Sequence, residues 1–235
     1  MSIQTRLCDL DWDRLTDQID QFGWATTGPL LSNKECVALS AAYDEEGLYR
    51  SRVIMARHGF GQGEYRYFAY PLPDLVQQLR ENLYARLVPL ANRWREAVGV
   101  DDPFPSTFED YIVRCHAAGQ TRPTPLILRY DPGDYNCLHQ DLYGDLHFPL
   151  QAAFLLSQPK DEFTGGEFVL AEQRPRMQSR VQVVPLEAGE AVIFAVNHRP
   201  VQGSRGTYRV AMRHGVSPLR GGRRHTLGII FHDAA

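Results

Sequence analysis

From Pro125 onward the sequence breaks into short apolar runs separated by turn residues, and this punctuation constrains the fold more than any other feature. Candidate strands are Leu126–Tyr130, Leu138–Asp141, Leu150–Leu156, Glu167–Ala171, Arg180–Pro185, Ala191–Val196, Tyr208–His214 and Thr226–His232. Turns fall at Asp131-Pro132-Gly133-Asp134, Thr164-Gly165-Gly166 and Arg220-Gly221-Gly222. About eight antiparallel strands of this kind make a double-sheet jelly roll. The expected fold class is therefore mainly β with helical support (α+β), a jelly-roll, cupin-like core preceded by N-terminal helices.

The first half reads differently. Asp11 caps a segment with Leu15, Ile19 and Phe22 on one face, ending at Gly23. Ser32 and Glu35 have the spacing of a capping box. Asp74 opens a stronger helix with Leu75, Leu79, Leu83 and Leu87 at spacing four, which Pro89 should kink or end. Ser106 starts another, Thr107 to Ala117. Ahead of the Asp74 helix, Arg57 to Phe68 carries three glycines and four aromatics, the pattern of a hairpin whose aromatics pack on the core. The expected organisation is a single domain over 1–235, with helical support and substrate loops in 1–120 and the jelly-roll catalytic core in 121–235.

Cys8, Cys36, Cys115 and Cys137 form no CxxC pair, so a disulfide framework is not expected and a reducing, cytoplasmic compartment fits them. The N-terminus has no apolar core of a signal peptide, and no stretch approaches a membrane span. The formal net charge is −3. Yet Arg174, Arg176, Arg180, Arg199, Arg205, Arg209, Arg213, Arg220, Arg223 and Arg224 face only Glu187 and Glu190 in their segment. Such a field suits a polyanion. Equally, a chain with only Lys34 and Lys160 as lysines draws its surface cations from arginine.

The sharpest chemical feature is His139-Gln140-Asp141. Residues two apart on a strand share a face, so an imidazole and a carboxylate can converge. A third ligand must come from far along the chain, and His214 is the best candidate. Two histidines and one carboxylate on one face suit non-haem Fe(II) with positions open to cosubstrate and O2. Arg224 and Thr226 follow, again two apart. A buried guanidinium grips a carboxylate with two hydrogen bonds, and a threonine hydroxyl adds a third, which suits the far carboxylate of a dicarboxylic acid. His198 with Arg209 is a rival pair at a similar step. It lacks a Thr or Ser two after the arginine and a proline four after the histidine, so His214 is favoured.

On these motifs, residues 125–232 resemble the 2-oxoglutarate/Fe(II) dioxygenase superfamily, whose members share the double-stranded β-helix fold. The resemblance implies His139, Asp141 and His214 as metal ligands and Arg224 and Thr226 as cosubstrate residues. Arg129-Tyr130-Asp131-Pro132-Gly133 and His214-Gly215-Val216-Ser217-Pro218-Leu219 are similar to stretches of the AlkB-type nucleic-acid demethylases, which implies that Tyr130 hydrogen-bonds 2-oxoglutarate. Gly165-Gly166-Glu167-Phe168 and the ten-residue step from His214 to Arg224 look more like prolyl hydroxylases. From about Phe60 to Asp233 the chain also resembles a bacterial oxygenase family linked to oxidative demethylation of damaged DNA. It departs from the AlkB pattern at Leu128, at Ile230 and at Tyr143, which stands where an acidic residue reads the base.

The implied reaction couples decarboxylation of 2-oxoglutarate by O2 to hydroxylation of a substrate C–H bond; a hydroxylated N-methyl group would leave as formaldehyde. Three substrate readings follow. A nucleic-acid lesion would use Arg174, Arg176 and Arg180 for phosphates and Phe60, Tyr65, Tyr67 and Tyr143 for the base. A protein side chain or small metabolite is the alternative. A non-catalytic binding barrel is disfavoured by retention of the whole motif set.

Overall fold

The computed structural model describes residues 1–204 and 206–235; Arg205 lies outside the described residues. In chain order the helices are α1 (Ile3–Cys8), α2 (Trp12–Phe22), α3 (Asn33–Ala41), α4 (Asp74–Ala97) and α5 (Phe108–Ala117). The strands are β1 (Trp24–Pro29), β2 (Tyr49–Ile54), β3 (Gly61–Gln62), β4 (Glu64–Phe68), β5 (Leu126–Tyr130), β6 (Tyr135–His139), β7 (Leu150–Leu155) and β8 (Phe163–Gly165). They continue with β9 (Phe168–Gln173), β10 (Arg180–Val184), β11 (Glu190–Ala195), β12 (His198–Gly203), β13 (Gly206–Val216), β14 (Leu219–Gly222) and β15 (Arg224–Ile229).

The larger sheet runs β1-β11-β7-β15-β5-β4-β2, and the smaller β10-β9-β13-β6-β3 with β12 on β13; a short β14-β8 ladder closes one end. All the strand pairs are antiparallel. The fold is the mostly-β jelly roll with N-terminal helices. Strand alternation explains how the larger sheet serves two faces. On β15, Leu227 and Ile229 join the helical core with Leu79, Leu83 and Leu87 of α4, while Arg224, Thr226 and Gly228 line a cavity between the sheets. On β7, Ala152 and Phe154 face the helices and Gln151 and Ala153 face the cavity.

Several sequence expectations hold locally. Asp11 accepts from Arg14 N, Gly23 closes α2 at φ 82°, and Ser32 with Glu35 forms the capping box. Others need correction. The strands are nearly twice as many as expected: residues 1–120 contribute β1 to one edge of the larger sheet, β4 and β2 to the other and β3 to the smaller sheet, and the second half adds β8, β12 and β14. Those sequences are not strictly alternating, so period alone hid them. Pro89 does not end α4, which runs on to Ala97 because Leu90, Ala91 and Trp94 continue its buried face. Phe22 is exposed beside Gly23, and Thr107 caps α5 rather than lying inside it. Asp141 lies beyond β6, which ends at His139.

One buried cluster ties α4 to the chain end. Arg80 and Asp233 are both fully buried and pair at 2.7 Å. Arg80 also donates to the carbonyls of Ile230 and Phe231 at 2.8 and 3.1 Å, while Tyr70 and His116 engage the other Asp233 oxygen. Removing one partner of such a pair strands a charge in the core. Asp233→Ala is expected to destabilise the fold by about 3–5 kcal/mol and lower Tm by roughly 6–20 °C, read by thermal and urea denaturation; an unchanged midpoint would remove the cluster from any structural role.

Acid stability has a specific expected course. His232 accepts a hydrogen bond from Phe148 N at 3.2 Å through Nδ1, and burial pushes its pKa down to about 3. Burial, then Arg129 and Arg223, push His225 down to about 4. Both residues bind protons more weakly folded than unfolded, so stability is full above the ordinary histidine pKa of about 6.5 and is lost as pH falls below it. For His232 the loss is about 1.4 kcal/mol per pH unit down to its folded value; the partly exposed His225 contributes less. Denaturation midpoints from pH 7 to pH 4 should fall accordingly, and less steeply in His232→Gln.

Candidate metal and cosubstrate site

The cavity between the sheets has a volume of about 170 Å³. It gathers His139 from β6, Asp141 from the following loop, His214 from β13, and Tyr130, Arg224 and Thr226 from β5 and β15. His139 and His214 stand directly opposite each other in the β6–β13 ladder, with ring centroids 4.1 Å apart. Asp141 reaches them from the loop. Its side chain comes within 3.4 Å of His139 Nε2 and 3.3 Å of His214 Nε2, one carboxylate oxygen to each. The donor atoms of all three lie within 4.8 Å of one another.

The convergence was expected from an i, i+2 strand pair, yet the geometry arises otherwise. The chain leaves the sheet after His139, and Gln140 pins the exit by donating to the carbonyls of Asn197 and Met212 at 3.1 and 2.8 Å. Burial pushes the Asp141 carboxyl up, but the two imidazoles outweigh it and hold it well below the usual range. The site therefore presents an anion and two imidazole nitrogens. A set of two imidazoles and one carboxylate on one side of a cavity suits a divalent first-row metal.

Two side chains that the sequence did not assign to this task orient the carboxylate. Tyr143 donates to Asp141 Oδ1 at 2.6 Å, and Gln151 Nε2 donates to Oδ2 at 2.8 Å. The sequence placed Tyr143 at a base-reading position, whereas its hydroxyl is engaged with Asp141. Gln151 left one signal: a polar residue inside the otherwise apolar run of β7. The other ring nitrogen of His139 meets the Cys137 carbonyl at 2.8 Å, which leaves Nε2 facing Asp141. Loss of such supporting bonds costs metal affinity by about 10–100-fold. Tyr143→Phe and Gln151→Leu should each show that loss in anaerobic Fe(II) or Co(II) titrations while the folded protein is retained; wild-type affinity in both would show that the bonds are idle.

The other end of the cavity is cationic. Arg224 is 1% exposed, and its guanidinium donates to Thr226 Oγ1 at 2.5 Å. Among the described residues its Nε has no partner, and neither has the hydroxyl of Tyr130, itself 1% exposed. Burial pushes the guanidinium down to about 10 and the Tyr130 phenol up to about 12. Buried polar groups are normally bonded, so this pair of orphans leaves donors free that could take an anion. The Gly165-Gly166 turn covers these donors: both residues have positive φ, and a Cβ on Gly166 would come within 3.1 Å of Arg224 Cδ.

The remaining sequence candidates separate. Tyr65 lines the cavity, and Tyr67 is buried edge-on behind it at 5.3 Å. Arg174 and Arg180 instead converge on Glu172, at 2.9 and 3.5 Å, where Arg199 also binds at 2.7 Å. These two and Arg176 are absent from the cavity wall among the described residues. His198 and Arg209 line a different cavity.

Residues 63–234 match the model of a family described as oxygenases catalysing oxidative methylation of damaged DNA. The chain belongs to this family. It is an oxygenase, an oxidoreductase of the dioxygenase class. A Mycobacterium tuberculosis protein, Uncharacterized protein Rv2227, is 48% identical to the oxygenase over 168 residues, 72% of each chain. Among solved structures, a Pseudomonas putida prolyl-4-hydroxylase superposes with a TM-score of 0.54 at 18% identity, covering 95% of this oxygenase and all of that chain. An oxidoreductase of the 2OG-Fe(II) oxygenase family from Burkholderia pseudomallei gives 0.58 at 15% identity, covering 97% and 94%. A Trichoplax adhaerens prolyl hydroxylase gives 0.58 at 13%, covering 98% and 91%. At these identities the likeness is one of fold. No helix of the described residues is long and apolar enough to cross a membrane.

Proposed function

We propose that the oxygenase uses Fe(II) and 2-oxoglutarate, with His139, Asp141 and His214 as metal ligands and Arg224, Thr226 and Tyr130 as the cosubstrate cradle. The observation that carries this reading is the buried Arg224 guanidinium in the same cavity as the triad, bonded to Thr226 and with its Nε unpartnered among the described residues. The residues fit both groups: two imidazoles and a carboxylate for the metal, and a guanidinium fork with two hydroxyls for the far carboxylate of a keto diacid. The bound metal and cosubstrate supply the oxidising power that hydroxylates a C–H bond. The chain's own residues do the rest. Tyr143 and Gln151 fix the carboxylate, Cys137 fixes the His139 tautomer, and the walls of Leu126, Leu128, Phe168 and Phe194 keep the cavity dry.

For the substrate, we infer a methylated base in damaged nucleic acid, following the family description. Hydroxylation of an N-methyl carbon releases formaldehyde, so the direction this chemistry supports is removal of the methyl group. Tyr65 and Phe60 line the cavity and offer ring faces to a base extruded from its stack. A second reading has its own support. Arg224 is the one arginine or lysine on the cavity wall among the described residues, so nothing there meets a substrate phosphate. That favours a neutral protein side chain or metabolite. Succinate formation from 2-oxoglutarate with Fe(II) and ascorbate, with and without methylated single-stranded DNA, tests both. Stimulation by DNA with formaldehyde release supports the first; turnover that ignores DNA supports the second; no turnover and no anaerobic metal binding would overturn the assignment.

A further inference from the structure

Beyond the wall of the catalytic cavity, one face of β4 continues from Tyr65 to Tyr67, whose rings meet edge to face at 5.3 Å. Tyr67 in turn carries a cation. Arg50 of β2 lies over its ring, with the guanidinium carbon 4.4 Å from the centroid. Arg50 Nε donates to the Pro123 carbonyl at 2.8 Å, and Nη1 reaches Ser51 Oγ at 3.5 Å. These contacts fix the fork and leave Nη2 without a protein partner among the described residues. Pro123 directly follows Arg122, which is exposed, so the bond draws two arginines together.

No carboxylate neutralises this pair. Neither Arg50 nor Arg122 makes an ion pair among the described residues. Burial pushes the Arg50 guanidinium down, Tyr67 opposes that, and Arg122 adds to it. The carboxylate that acts on Arg50 is Asp233, which is already committed to Arg80 at 2.7 Å and to His116 at 2.8 Å. The field of Arg50 also reaches the catalytic cavity. Burial pushes the Tyr65 phenol up, and of the charges near it Asp141 adds to that push while Arg50 opposes it. Tyr65 therefore stands within range of both the carboxylate of the triad and the Arg50 cation.

We propose that Arg50 and Arg122 form a phosphate site for the nucleic-acid strand whose base enters the catalytic cavity. A base lying on Tyr65 and Phe60 directs its backbone toward Arg50, one ring further along β4. The planar fork of Arg50 suits two phosphate oxygens, and the exposed Arg122 adds a charge contact. The site supplies the phosphate contact that the catalytic cavity lacks, and it rests on the nucleic-acid reading of the substrate. Arg50 precedes residues 63–234, so the family description does not reach it.

Fluorescence anisotropy of methylated single-stranded DNA with the anaerobic, Fe(II)-loaded protein, repeated across salt concentrations, tests it. Arg50→Gln should weaken binding about tenfold and reduce the slope of log affinity against log salt by about 0.7, the loss of one phosphate contact. Arg122→Gln, at an exposed position that leaves the fold alone, should reduce the slope by a similar step. Arg50→Lys keeps the charge but not the fork, so it should keep the slope while losing affinity. Arg14→Gln removes an exposed charge from α2, which packs on β1 at the edge of the sheet opposite β2, and should bind as the wild type does. DNA bound with unchanged affinity and slope by both Arg50→Gln and Arg122→Gln, or weakened as much by Arg14→Gln, would overturn the site and leave the DNA substrate standing. A wild type that neither binds DNA at low salt nor turns over faster with it would remove the DNA substrate and the site together.

Discussion

Arg224→Met is expected to raise the KM for 2-oxoglutarate by roughly 10²–10⁴-fold while making the ligand-free protein more stable. The first effect follows from two hydrogen bonds to a charged group, at about 1.5–3 kcal/mol each. The second follows from burial. Burial holds the guanidinium at about 10 despite Tyr130 and the Glu167 carboxylate nearby, a depression worth roughly 3 kcal/mol against the charged form. Methionine fills similar volume without that cost, and swaps of this kind stabilise by up to about 1–4 kcal/mol. Steady-state kinetics and urea denaturation read the two arms on one protein. A KM that barely moves would detach Arg224 from the cosubstrate; a loss of ligand-free stability would show that the residue serves the fold.

Asp141→Asn is expected to abolish metal binding and reduce turnover to background while keeping the fold. The amide retains the shape of the carboxylate but not its charge. One of the two donors, Tyr143 or Gln151, then faces an NH2 group, a local cost of about 1–3 kcal/mol. His214→Ala should lose metal in the same titration, whereas His198→Ala should bind it as the wild type does, because His198 lies in the other cavity. Metal bound by His214→Ala and lost in His198→Ala would reverse the ligand assignment.

The strands from Pro125 onward were legible because each is short, apolar and bounded by a turn residue. Six of the eight expected there lie within about two residues of observed strands at both ends; Leu138–Asp141 is shifted from β6, and Thr226–His232 overruns β15. Motif spacing brought His139, Asp141, His214, Arg224, Thr226 and Tyr130 to one cavity. The sheet's outer strands were not legible. The Arg57–Phe68 stretch has the local pattern of a hairpin of its own, yet β4 pairs with both β2 and β5, and pairing at such sequence distance leaves no local mark. The arginine block misled for a related reason. Sequence shows ten positive charges, but not that Glu172 is buried among three of them. The roles of Tyr143 and Gln151 depend on where a carboxylate points, which no periodicity encodes.

The family match begins at residue 63, yet the larger sheet needs what precedes it. β1 caps the free side of β11, whose Ala191 to Ala195 are all buried apolar residues, and β2 caps β4. A fragment starting at residue 63 would keep every proposed metal and cosubstrate residue and still present three bare margins, two in the larger sheet and one along β6, which loses β3. Unpaired backbone along an apolar strand recruits other chains. The leading segment thus acts as a guard against self-association, and its loss should appear as insolubility before it appears as a change in chemistry.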